Sequence, residues 1–394
     1  MSTKHSKAAA EFLKNKKQAA WHDETLWLVR AKRDRLSKEV PEWEELRNMA
    51  CATKLYSNSH LDELLVEFEN NARANGAHVY WAKDADEYCN IVYNILNQHG
   101  VKHFIKSKSM LAEECELNPF LESKGIEVVE SDLGERILQL MHLKPSHIVL
   151  PAIHIKREQV GELFEREMGT EKGNFDPTYL THAARKNLRQ KFIHAEAAMT
   201  GANFAVASTG EIVVCTNEGN ADMGTSQPKL QIAAFGMEKI VPDRESLGVF
   251  TRLLARSATG QPITTYTSHY RKPREGGELY ITIVDNGRSK ILADPEHIKT
   301  LNCIRCGACM NTCPVYRRSG GYSYTYFIPG PIGINLGMLK APLHYYDNVS
   351  ACSLCYSCSF VCPAKVDLAE QIYLWRQDLD KLGKADRMKR VMSG

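Results

Sequence analysis

The chain has no apolar run near the roughly 18 residues that crossing a bilayer requires. Its first residues, MSTKHSKAAAEFLKNKKQAAW, lack the apolar stretch of a secretory signal. Charge bias is almost absent, with a net charge of +3 over 394 residues, so composition gives no support to nucleic-acid binding. Neither G-x-G-x-x-G after a first strand nor G-x-x-x-x-G-K-[ST] occurs, which leaves a nicotinamide, flavin or ATP site of those kinds unsupported. Cysteine is scarce over most of the length: of 12, only Cys51, Cys89, Cys115 and Cys215 lie outside one C-terminal segment. These features lead us to expect a cytoplasmic protein with reduced thiols, which weakens a disulfide reading. Any membrane association is expected to be peripheral and made through partners.

What is present divides the chain into four stretches. Residues 1–76 read as amphipathic helices, interrupted at Pro41 and ending at Gly76. Residues 77–295 alternate short apolar strands with helices, the pattern of a mostly parallel sheet covered on both faces. HVYWA (78–82), KHFIKS (102–107), IEVVES (126–131) and HIVLPA (147–152) read as strands, and 155–200 as charged helix. FAVASTGEIVVCT (204–216) reads as a hairpin turning at Thr209 and Gly210, followed by a strand in LQIAAFGMEKIVP and further β structure from ITTYTSHY to ELYITIV. Residues 296–380 carry the cysteines, joined by an aromatic, Gly/Pro-rich connector expected to be irregular, and close with a helix over DLAEQIYLWRQDLDKLG. Residues 381–394 form a tail.

CIRCGACMNTCP (303–314) and CSLCYSCSFVCP (352–363) both fit C-x₂-C-x₂-C-x₃-C-P. Three cysteines two residues apart can wrap a tight loop around three corners of a cubane, with backbone N–H groups turned to the sulfurs. The fourth begins a helix leading away, and the proline after it suits that start. Zinc sites usually come as separated C-x₂-C pairs, so a four-cysteine run made twice points to two [4Fe–4S] clusters. In two-cluster ferredoxins the fourth cysteine serves the other cluster. The expected sets are therefore Cys303, Cys306, Cys309 and Cys362, and Cys352, Cys355, Cys358 and Cys313. Clusters with four protein thiolates leave no open iron for a substrate, which makes them wiring. Cys89 and Cys215 fall in a helix and a strand, where small buried hydrophobes are common.

The α/β segment offers a candidate anion site. Ser107 and Ser109 end a strand and open a helix, a place where N–H groups can face an anion. The stretch 200–224 adds Asn203, Ser208, Thr209, Gly210 and Glu211 among its glycines and small polar residues. Tight turns and caps are the plainer reading of the same residues. His154, His182 and His194 are available as bases, but nothing in the sequence singles one out. AARKNLRQK (183–191) reads more simply as a solvated helix face than as a docking site for an acidic partner.

With GANFAVASTGEIVVCTNEGN, KLQIAAFGMEKIVP, the two cysteine phrases and the connector YFIPGPIGINLG in this order, the chain resembles the lactate-utilisation protein B family over roughly residues 60–380. The resemblance implies an α/β LUD domain, like the sugar-phosphate isomerase and CoA-transferase group, with N-terminal helices and a C-terminal, mostly α-helical ferredoxin-type domain holding two clusters. It implies an electron-transfer subunit of a system oxidising L-lactate to pyruvate, partnered by a cysteine-rich (CCG) subunit and a small LUD-domain subunit. The alternative is an oxidoreductase that itself binds lactate or another small carboxylate in the LUD pocket. A weaker third reading makes the LUD domain an assembly platform. Family members often extend further at the C-terminus.

Overall fold

The computed structural model describes residues 4–383. All but the first three residues of the expected tail, 381–394, lie outside the described residues. Four helices lead: α1 (Lys4–Lys14), α2 (Lys16–Lys38), α3 (Trp43–Ser59) and α4 (Leu61–Ala74). Asn15 starts α2 by accepting the Gln18 N–H at 3.1 Å, and Pro41 lies in the break before α3. The four helices divide their allegiance. Leu61, Leu64, Leu65, Phe68 and Ala72 form one stripe of α4, which buries against Phe235, Ile281 and Ile283 of the sheet described next. α2 instead sends Leu26 into the core of the C-terminal region.

The main sheet has six parallel strands in the order β1-β10-β7-β4-β2-β3. A second, four-stranded sheet is ordered β8-β5-β6-β9. In chain order the strands are β1 (His78–Ala82), β2 (His103–Lys106), β3 (Glu127–Glu130), β4 (Ala197–Gly201), β5 (Phe204–Val206), β6 (Glu211–Thr216), β7 (Leu230–Gly236), β8 (Ile240–Val241), β9 (Tyr266–Tyr270) and β10 (Glu278–Val284). Every residue of β7 is buried, as expected of a central parallel strand covered on both faces. β5 and β6 form the expected hairpin. Its turn is held by Gly210 at φ +66°, where a Cβ would meet the α4 backbone nitrogen of Ala72 at 2.3 Å.

Three local expectations fail, each for a physical reason. The charged helix stops at His194, and β4 follows, between β2 and β7. Its residues, AAMTG, carry no β-branched signal except Thr200. They are strand because the slot between two buried strands admits only small side chains and Met199. Residues 147–152 are not a strand. The His147 ring folds this segment into a loop by accepting the Val149 and Leu150 N–H groups at 3.0 and 3.1 Å. Nε2–H then points to Asn311 Oδ1 at 3.0 Å, and burial pushes the ring down to about 3, so it stays neutral. The apolar residues of 147–152 that read as a strand are thus an anchor on the cysteine-rich region. Finally, the connector contains a helix, Gly330–Lys340, buried along its first nine residues. Pro331 sits in its first turn, where the missing N–H costs nothing.

Candidate metal centre and adjoining cavity

The two cysteine phrases repeat their backbone as well as their sequence. Arg305 and Leu354, two residues after Cys303 and Cys352, stand at φ +62° and +52°. Gly307 and Tyr356, one residue after Cys306 and Cys355, stand at +77° and +59°. For Arg305, Leu354 and Tyr356 this left-handed conformation costs on the order of 1–3 kcal/mol each. It aims backbone N–H groups at sulfur: Arg305 N–H lies 3.4 Å from Cys303 Sγ and Leu354 N–H 3.3 Å from Cys352 Sγ. The fourth cysteines match too, with Tyr316 N–H on Cys313 Sγ and Val366 N–H on Cys362 Sγ, both at 3.4 Å.

The phrases also interlock. The helix Ala308–Thr312 packs on the helix Ser357–Val361. Thr312 and Ser357 share a hydrogen bond, and Arg30 from α2 donates to both. Arg33 donates to the Val361 carbonyl at 3.0 Å, and Arg47 donates to the Cys362 carbonyl through Nε and Nη2 at 3.0 and 2.9 Å. The N-terminal helices therefore brace the end of the second phrase.

The electrostatic neighbours of the thiols cross between the phrases. Burial pushes the Cys313 thiol up to about 11, and the cysteines that add to this are Cys352 and Cys355. Cys358 is raised by burial and by Cys313, Cys352 and Cys355. Cys306 is pushed up to about 12, by burial first and then by Cys362 and Cys303. Cys362 rises to about 11 through burial, with Cys303 beside it. Cys309 lies between the sets, raised by burial and then by Cys303, Cys306, Cys358 and Cys362. Thiols packed this closely repel one another on ionisation unless a cation-rich group lies between them, and a coordinating metal deprotonates thiols outright. The donor set, its N–H groups and its mutual repulsion fit two [4Fe–4S] clusters. The two sets differ in access: Cys306, Cys309 and Cys362 are buried, whereas Cys355 is exposed, and Phe360 of the same phrase is 75% exposed.

A cavity of about 320 Å³ opens at the carboxyl ends of β2, β4 and β7, where open α/β sheets hold ligands. Ser107, Ser109 and Asn203 line it, as does Cys306. Ser107 gives both its N–H and its hydroxyl to the Met199 carbonyl, and Ser109 Oγ accepts the Ala112 N–H. The Asn203 carbonyl oxygen takes the Cys215 N–H, leaving its amide N–H₂ to offer. Ser208, Thr209, Gly210 and Glu211 are not brought to the cavity: they occupy the opposite end of the β5–β6 hairpin. Glu211 there pairs with Arg244 and His269. None of the candidate histidines lines the cavity. His154 bonds Ser146 and Tyr322, while His182 and His194 are exposed on the helix Pro177–His194.

The charged wall next to Cys306 escaped the sequence reading. Glu238 is 2% exposed, and its carboxylate pairs with Arg288 Nε at 2.5 Å and Arg305 Nη2 at 3.3 Å. Burial alone raises the Glu238 carboxyl, but Arg288 and Arg305 together hold it at about 2. Arg288 is further clamped by Glu114 at 2.9 Å, and Lys54 donates to the Glu238 carbonyl. Gly236 leaves room for this group, since a Cβ there would meet Glu238 Oε2 at 2.2 Å. Burial, with Arg305 adding to it, brings Lys239 down to about 8, still cationic at neutral pH. The available signal was a charged pair, Glu238 and Lys239, one residue past an all-buried strand.

Residues 65–292 match the LUD domain, and residues 299–366 match the 4Fe-4S dicluster domain. Lactate utilization protein B of Geobacillus thermodenitrificans is 43% identical over 357 residues, covering 88% of this chain and 75% of that one. Its counterpart from Bacillus pumilus is 43% identical over 359 residues, with 89% and 76% covered. A protein of Escherichia coli named uncharacterized electron transport protein YkgF is 41% identical over 362 residues, with 90% and 76% covered. The crystal structure of a DUF162 family protein from Deinococcus radiodurans covers 57% of this chain and 98% of its own, at 15% identity and a TM-score of 0.33, too low to carry an argument. Among the described residues, no helix is long and apolar enough to cross a membrane. With its LUD domain and its 4Fe-4S dicluster domain in this order, the chain belongs to the lactate utilization protein B family.

Proposed function

We propose that this chain is the iron–sulfur electron-transfer subunit of a cytoplasmic system that oxidises L-lactate to pyruvate. In this reading Cys303, Cys306, Cys309 and Cys362 hold one [4Fe–4S] cluster, and Cys352, Cys355, Cys358 and Cys313 hold the other. The observation that carries it is the interlocking of the two phrases, whose helices Ala308–Thr312 and Ser357–Val361 pack together and whose Thr312 and Ser357 share a hydrogen bond; the thiol neighbours, Cys352 and Cys355 for Cys313 and Cys362 for Cys306, support it. When bound, such clusters take up and release electrons one at a time. The chain's own residues fix the ligand sulfurs, turn N–H groups toward them and bury Cys306, Cys309 and Cys362 of one set while leaving Cys355 of the other at the surface. This gives the relay an inner end beside the cavity and an outer end open to a partner. Residues 77–295 form the LUD scaffold and 296–380 the relay. The partners are a cysteine-rich (CCG) subunit and a small LUD-domain subunit.

A second reading, an oxidoreductase that binds its own small carboxylate, has one observation in its favour: the cavity shares the Cys306 wall. Anaerobic mixing separates the two. The isolated chain is expected to be reduced by a low-potential donor but not by L-lactate, and the two partners together are expected to restore lactate-dependent bleaching. Replacing Cys306 with serine should then interrupt electron flow while leaving partner binding largely intact. Lactate turnover by the isolated chain with an artificial acceptor, at the rate of the full assembly, would move the chemistry into the LUD cavity.

A further inference from the structure

The cavity holds a cation with no assigned role. Lys239 lines it as the last residue of the 3₁₀ turn Met237–Lys239 that follows β7, and its Nζ makes no hydrogen bond or ion pair among the described residues. Around it stand Arg305, Arg288 and Lys54, with Glu238 as the carboxylate they share. Arg288 is saturated by Glu114 and Glu238. Arg305 is nine-tenths buried, spends Nη2 on Glu238 and leaves Nη1 buried without a partner. A buried donor left without an acceptor is costly, the more so when it is charged. This wall therefore has an unmet demand for an anion.

The rest of the lining limits which anion fits. Asp132 and Glu218 also line the cavity. They lie close together, since Glu218 accepts the N–H of Leu133 and is raised by burial and by Asp132. A dianion such as phosphate would face these carboxylates. A short monocarboxylate carrying a hydroxyl or keto group would not: its carboxylate suits Lys239, and its other end meets the Asn203 amide and polar acceptors.

We propose that this cavity binds a short hydroxy- or keto-monocarboxylate on Lys239, and that its occupancy is sensed by the centre held by Cys303, Cys306, Cys309 and Cys362. The sensing follows from placement. Arg305 lies inside the first cysteine phrase, with its N–H on Cys303 Sγ, and its guanidinium lines the cavity. An anion neutralising Lys239 and Arg305 removes positive potential from beside that centre and disfavours its reduction. By linkage, reducing the centre weakens binding of the anion. This inference rests on the relay reading for its redox half and on the cavity alone for its binding half.

The test uses the full chain prepared anaerobically, with L-lactate, pyruvate and inorganic phosphate as probes. Calorimetry should show one site per chain for L-lactate or pyruvate, with phosphate binding more weakly. Lys239→Gln should weaken binding about tenfold or more, the effect of removing a charged partner from a buried site, and Lys239→Arg should restore part of it. Asn203→Asp keeps the acceptor for the Cys215 N–H and adds negative charge, so it should weaken binding independently. Potentiometric EPR should show the first centre moving to lower potential with the probe while the second stays, and Lys239→Gln should abolish the shift. No binding beyond that of a potassium chloride control, or unchanged binding in both variants, would overturn the site. A shift of both centres, or of neither, would overturn the sensing. Iron content measured on the same samples reports separately on the relay reading.

Discussion

Replacing Cys313 with serine should damage the centre proposed for Cys352, Cys355 and Cys358, 39 to 45 positions further along the chain, and spare the one built by its own phrase. The expectation follows from the interlocked phrases. Cys313 caps the helix Pro314–Ser319, and its thiol is raised by Cys352 and Cys355 after burial. The reciprocal variant, Cys362→Ser, should damage the centre of Cys303, Cys306 and Cys309. EPR of the reduced proteins would resolve the two signals. Loss of only the Cys303-side signal in Cys313→Ser would mean that each phrase closes on itself. The effect should be large, because the remaining three thiols are mutually repelling groups in a partly desolvated site.

Replacing Glu238 with alanine should destabilise the chain by about 3–5 kcal/mol, the usual consequence of removing one partner from a buried ionic group. Arg288 would keep Glu114, but Arg305 would lose the carboxylate it holds at 3.3 Å. Lys54, Lys239 and Arg305 would lose their nearest carboxylate, leaving only Glu114, already held by Arg288, as a counter-charge. Glu238→Gln preserves shape and should cost less while still removing the charge. Urea unfolding of the metal-loaded proteins measures both. A loss below about 1 kcal/mol for the alanine variant, the scale of an exposed pair, would show that water reaches this wall freely.

Much of the architecture was legible because it rests on local chemistry. Ligand spacing around a cubane is a covalent requirement, so the two phrases stand out of any surrounding sequence. The strands HVYWA, IEVVES and LQIAAFG are apolar runs of strand length, and the hairpin at Gly210 has turn residues where the backbone needs a positive φ. β4 was not legible, because its small residues are chosen by the neighbours β2 and β7 and not by their own propensity. The loop at 147–152 read as a strand because its apolar residues have a packing role as a strand's would, only here Ile148 is buried and Val149 half-buried against the cysteine-rich region. The candidate anion residues split for a similar reason. Both ends of the β5–β6 hairpin are rich in glycine and small polar residues, and only the sheet's topology decides which end meets the cavity. Lys239 and Arg305, 66 positions apart in the chain, become neighbours only through the packing of the LUD sheet on the first cysteine phrase.

The most direct test of the relay is the iron and acid-labile sulfide content of the wild-type chain, purified without oxygen. Two clusters of four irons each require about eight irons and eight sulfides per chain, with a broad visible absorption that dithionite bleaches. About four irons per chain, or zinc in place of iron, would contradict it.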